Sequence, residues 1–185
     1  GGWLADRLFG GQKAVWYGGI IIMCGHIILA VPHEYSFFIG LIFVATGTGL
    51  LKPNISAMVG QLYSDADERR DGGYAIYYMG INLGSLIGYY VCGYFMENVG
   101  WHWAFGAAAV GMAIGLIQYK RTLNNLPEHS ALPANPLSAK GASRAWFGIA
   151  AFVVIAAGVT AAAMTGAIII NPTVVAGYTA VVFTI

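Results

Sequence analysis

Gly47-Thr48-Gly49-Leu50-Leu51-Lys52-Pro53-Asn54 sets one cation inside an apolar run long enough to cross a bilayer. With a helix from Phe37 to Tyr63, Lys52 lies ~22 Å from one end and ~16 Å from the other, at 1.5 Å rise per residue. A lysine that deep costs at least ~2.5–3.5 kcal/mol on insertion scales, so it is expected to face a cavity and a partner rather than lipid. Its stem is too short to reach water from there. Pro53 removes a backbone donor beside it, and Gly47 and Gly49 weaken the same turns, so the helix is expected to be loosened at the charge. A charged, breakable position at mid-membrane depth points to transport.

The composition around this stretch agrees. The chain of 185 residues is 58% hydrophobic and 9% charged. Its mean hydropathy is +0.67. Soluble domains carry about 25% charged residues, so the expectation is an all-α, polytopic transmembrane helix bundle. A formal net charge of +1 gives no reason to expect a nucleic-acid partner. Cys24 and Cys92 sit in separate apolar runs without metal-ligand spacing and read as small apolar fillers. No HExxH, phosphate loop or nucleophile elbow occurs, so an enzyme is not expected, and neither is a metal or other cofactor.

Working outward, the spans read Ala14 to Val31, Phe37 to Tyr63, Tyr74 to Met96, Trp101 to Tyr119 and Trp146 to Ile170, with a sixth starting at Thr173. Residues 122–143 are rich in Pro, Ala, Ser and Asn and read as an exposed connector. Alternating the loops across the membrane sends Arg7, Lys13, Arg69, Arg70, Lys120, Arg121, Lys140 and Arg144 to one side and no basic residue to the other. By the positive-inside rule that side is cytoplasmic. Trp16, Tyr63, Trp101, Tyr119 and Trp146 near span ends fit interfacial belts.

Two spans carry polar stripes. Thr48, Lys52, Ser56 and Tyr63 share one face of the second, and Tyr78, Asn82, Ser85 and Tyr89 one face of the third. Gly80, Gly84 and Gly88 on a roughly opposite face of the third are expected to let another helix approach closely. Asn82 and Tyr78 then either line a cavity or hydrogen-bond across helices. Lys52 is either a functional cation or half of a structural ion pair; no carboxylate lies in these spans. His26 reads as a hydrogen-bonded packing residue rather than a proton relay. The segment Asp65 to Asp71 reads as a solvated loop.

The opening, Gly1-Gly2-Trp3-Leu4-Ala5-Asp6-Arg7-Leu8-Phe9-Gly10-Gly11-Gln12-Lys13, resembles the loop between helices 2 and 3 of major facilitator transporters. Its continuation to Gly25 resembles the first signature of the proton-dependent oligopeptide transporter family, and Tyr74-Ala75-Ile76-Tyr77-Tyr78-Met79-Gly80-Ile81-Asn82-Leu83-Gly84-Ser85-Leu86 resembles its second.

The resemblance implies part of a major facilitator fold with alternating access between two six-helix bundles. Residues 1–121 would be the loop between helices 2 and 3 and helices 3 to 6 of the first bundle, 122–143 a cytoplasmic connector, and 144–185 inserted helices between the bundles, the second incomplete. The chain, opening inside a loop, is then expected to be a piece of a longer one. The implied function is proton-coupled symport of di- and tripeptides across a bacterial inner membrane, with the proton as coupling ion. Lys52 would pair with an acidic motif on helix 1 and help hold the peptide carboxylate. Tyr78 and Asn82 would contact the peptide, and Asp6 and Arg7 would form the gating loop. A same-fold transporter of another solute, such as nitrate or drugs, and a scaffold bundle that transports nothing are the alternatives.

Overall fold

The computed structural model describes residues 1–64 and 66–164. Among them every regular element is helical. A short helix α1 (Gly2–Leu4) runs into a π-helical turn (Ala5–Phe9). Four longer helices follow, α2 (Gly11–Leu29), α3 (Glu34–Gln61), α4 (Arg69–Asn98) and α5 (Trp101–Thr122). Two 3-10 turns, Leu123–Asn125 and Glu128–Ala131, lead through the connector to α6 (Ala139–Met164). Contacts divide the chain into one compact unit, Gly1–Pro136, and a second that begins at Leu137 and holds α6. The expected fifth span is described only as far as Met164, and the sixth, from Thr173, lies outside the described residues.

Turn chemistry explains where the helices start and stop. Pro32 follows α2, and the side chain of His33 then accepts the Tyr35 amide at 3.2 Å to cap α3. Gly10 at φ 85° and Gly100 at φ 135° take backbone conformations open to glycine, one before α2 and the other between α4 and α5. α2 and α3 are apolar and long enough to cross a membrane, with mean hydropathies of 1.3 and 1.5. α4 is longer, at 30 residues, because Arg69, Arg70 and Asp71 add a polar first turn to the apolar run that begins at Tyr74.

Within the first unit α2 is the hub, packed along α3 and also against α5, which in turn meets α4. The buried apolar side chains of these helices are Ala14, Val15, Ile22 and Leu29 on α2, Met58 on α3, and Ala104, Ala109 and Leu116 on α5. Glycines set the close approach. A Cβ at Gly18 would lie 2.9 Å from the carbonyl of Gly47, and one at Gly25 would lie 3.0 Å from that of Gly40. The two pairs are spaced alike on antiparallel helices, so backbone meets backbone at both crossings.

Among the described residues the close glycine contacts are on α2 and α3, and nothing lies within 4 Å of a Cβ at Gly80, Gly84 or Gly88. Apolar side chains on that helix, such as Met79 and Leu83, stand exposed. α3 runs as one helix from Glu34 through Pro53 to Gln61. Asn54, next along, is 5% exposed and donates its side-chain amide to the Leu50 carbonyl at 2.5 Å.

Candidate functional site

Lys52 sits about 27 Å along α3 from Glu34 and about 14 Å from Gln61, nearer the basic end of the helix. Its side chain is on the exposed face, opposite to the buried Asn54 and Met58 that pack toward the rest of the unit. Among the described residues no carboxylate pairs with it.

On α4, Tyr78 is 56% exposed and Asn82 is also exposed. The Asn82 amide donates to the Tyr78 carbonyl one turn back at 2.9 Å, and Ser85 Oγ to the Ile81 carbonyl at 2.9 Å. The polar stripe of α4 thus satisfies itself within its helix and leaves the Asn82 side-chain carbonyl and the Tyr78 ring open. No hydrogen bond joins Lys52 to Tyr78 or Asn82. α3 and α4 meet at their adjoining ends, where Tyr74 Oη donates to the Ser56 carbonyl at 3.4 Å and the Tyr63 ring crowds Gly73. An open groove of about 680 Å³, lined by residues that include Gly60, Tyr63, Arg70 and Tyr74, lies at that junction rather than at Lys52.

The segment before α4 is more ordered than a plain solvated loop. Asp67 accepts the Arg69 amide at 3.0 Å and holds its guanidinium through two hydrogen bonds of 3.0 and 2.9 Å. Those bonds, first through the side chain and then through the backbone, push the Asp67 carboxyl below the usual carboxylate range.

Asp6 and Arg7 lie in the π-helical turn, both exposed. Their surroundings hold the residues that sequence reasoning missed. The Asp6 carbonyl accepts the Asn135 amide at 2.9 Å, and Arg7 Nη1 donates to the Asn135 carbonyl at 3.4 Å. Gln12 Nε2 donates to Ser130 Oγ at 2.8 Å and to the Pro127 carbonyl at 3.2 Å. Ser130 is 3% exposed, so this part of the connector is built into the fold instead of lying free in water. Nothing local marks these residues, because each is a polar side chain in a polar stretch and its partner is more than a hundred positions away.

Near the same end, Trp16 stacks on Tyr119 with centroids 6.5 Å apart, and Lys120 Nζ lies 5.4 Å from the Trp16 ring centre. That is the geometry of an interfacial anchor. Toward the other end, the buried Nδ1 of His26 has no hydrogen-bond partner among the described residues, unlike the bonded packing role read from its position.

Among the described residues, then, an all-helical arrangement carries a mid-helix cation, exposed polar positions on two neighbouring helices and a basic loop end. Comparison with known proteins makes the class specific: a family model described as the POT family (PTR2) matches residues 12–140. The chain belongs to that family. It is 46% identical over 173 residues to the uncharacterized transporter YclF of Bacillus subtilis, covering 92% of this chain and 35% of that protein. It is also 46% identical over 142 residues to a di-/tripeptide transporter of Lactococcus lactis subsp. cremoris, covering 76% of this chain and 29% of that one. A crystal structure of the peptide transporter POT with sulfate superposes with a TM-score of 0.80 at 42% identity, over 89% of this chain and 34% of the other. A POT family transporter in complex with 5-aminolevulinic acid gives a TM-score of 0.80 at 36% identity, covering 89% of this chain and 34% of that one. The helices are therefore part of a major facilitator fold and those of an integral membrane protein. The chain spans about a third of the length of these relatives.

Proposed function

We propose that the protein to which this chain belongs is a proton-coupled symporter of di- and tripeptides, working by alternating access in a bacterial inner membrane with its basic loops in the cytoplasm. One observation carries the reading: a chain 46% identical to a di-/tripeptide transporter keeps an amine deep in an apolar helix, on a face turned away from its own packing. An amine there meets a peptide carboxylate at low dielectric, where the attraction is strong. Tyr78 and Asn82, open on α4, contribute a hydroxyl and an amide carbonyl for the peptide backbone and amino end. Asp6 and Arg7 form the gating loop, and residues from 144 onward belong to helices inserted between the bundles. The coupling ion is the proton and no other cofactor is needed. A proton taken up by a carboxylate opposite Lys52 would free the amine and change which bundle arrangement is favoured.

The test is uptake of a labelled dipeptide into liposomes holding the complete protein. Accumulation should require an inward proton gradient and be competed by unlabelled tripeptide. No movement of dipeptide, with or without a gradient, would point instead to another solute on the same fold.

A further inference from the structure

The contacts between the connector and the start of the chain define a strap. We propose that residues 126–136 fasten the Asp6–Arg7 turn to the base of α2, and that Gln12 and Ser130 are positioning residues for that turn. The inference rests on the transport reading above.

The fastening is a continuous chain of bonds. Tyr119 Oη, from the end of α5, donates to the Gln12 carbonyl at 3.1 Å. The Gln12 side chain donates to Ser130 Oγ at 2.8 Å, and Ser130 Oγ donates onward to the Pro127 carbonyl at 2.6 Å. Each donor has an acceptor and the hydroxyl is used in both senses, as a buried hydroxyl requires. Further along, Asn135 bonds the Asp6 carbonyl through its amide and takes the Arg7 guanidinium on its own carbonyl. Gly10, with φ 85°, lets the chain pass under the strap, since a Cβ there would collide with the Ala131 backbone. Below the strap, a cavity of about 170 Å³ is lined by Asp6, Asn54, Met58 and Ser130 among others, so the strap leaves space between the turn and α3 unfilled.

Arg7 and Asp6 thus owe their place to residues of the connector as well as to their own turn. If the turn must be held for the two bundle arrangements to interconvert, loosening the strap slows turnover without touching the peptide site. A merely structural strap would leave that split unseen.

The complete protein in liposomes is compared with Gln12→Glu, which keeps the shape but loses both donated bonds, and with Ser130→Ala. A nitroxide on Leu132→Cys, an exposed strap position, reports fastening by electron paramagnetic resonance. The label should be immobile in the parent and mobile in both variants. Vmax for dipeptide should fall about fivefold, the factor for roughly one net hydrogen bond, with KM unchanged. Ser130→Thr, which retains the hydroxyl, should restore both readouts. A label equally immobile in the variants overturns the strap; a mobile label with unchanged Vmax, or a rise in KM alone, overturns the positioning role. A parent that moves no dipeptide contradicts the transport reading, while the label still tests the fastening.

Discussion

At the residue scale, Lys52 differs from the chain's other basic residues because those lie at loop ends, where water solvates them, and it lies mid-helix. That contrast is visible in sequence because hydropathy marks a charge inside an apolar run. Asp67 is the opposite case, a carboxylate in a polar segment whose bonding to Arg69 no pattern revealed. Its folded-state pKa is depressed, so the stabilisation of the α4 start is present above the ordinary carboxylate pKa of about 3.9 and is lost as pH falls through the lower folded value. Trypsin should therefore cut after Arg69 faster in Asp67→Asn than in the parent at pH 8. The protection factor of the Arg69 amide in the parent, its exchange rate corrected for the intrinsic pH dependence, should fall toward the variant's as the pH drops through the depressed folded value. Equal tryptic rates would show that the bond does not order the turn.

At the element scale, the glycines of α2 and α3 govern packing. Gly47→Val puts a branched side chain where a Cβ already meets the Gly18 carbonyl at 2.7 Å, and Ile22 at the same distance. Overpacking of this kind costs about 1–3 kcal/mol. The apparent Tm of the complete protein in detergent should drop by several degrees, and an unchanged Tm would mean that the α2–α3 crossing does not set its stability. The helices themselves were legible: apolar runs from Ala14, Phe37, Tyr74 and Trp101 became α2 to α5. Their ends shifted because hydropathy marks the membrane edge, whereas helices continue into water through residues such as Arg69 and Arg70. Which glycines pack among the described residues was not legible. Gly80, Gly84 and Gly88 have the familiar spacing, but close approach depends on the face a partner helix presents, and periodicity along one helix does not contain that. α3 continues through Pro53, although the proline removes one backbone donor there.

At the scale of the whole molecule, the chain spans about a third of the length of its relatives. α4 buries no residue, and the faces bearing Lys52, Tyr78 and Asn82 are open. Under the proposed mechanism those faces line the route of the peptide between two bundles, with Lys52 linking proton and substrate. The most direct test places Lys52→Ala beside the parent in liposomes and measures gradient-driven dipeptide accumulation and counterflow exchange in the same preparations. Accumulation should be lost while exchange survives, since exchange needs alternation but no proton; undiminished accumulation by Lys52→Ala would contradict the coupling role.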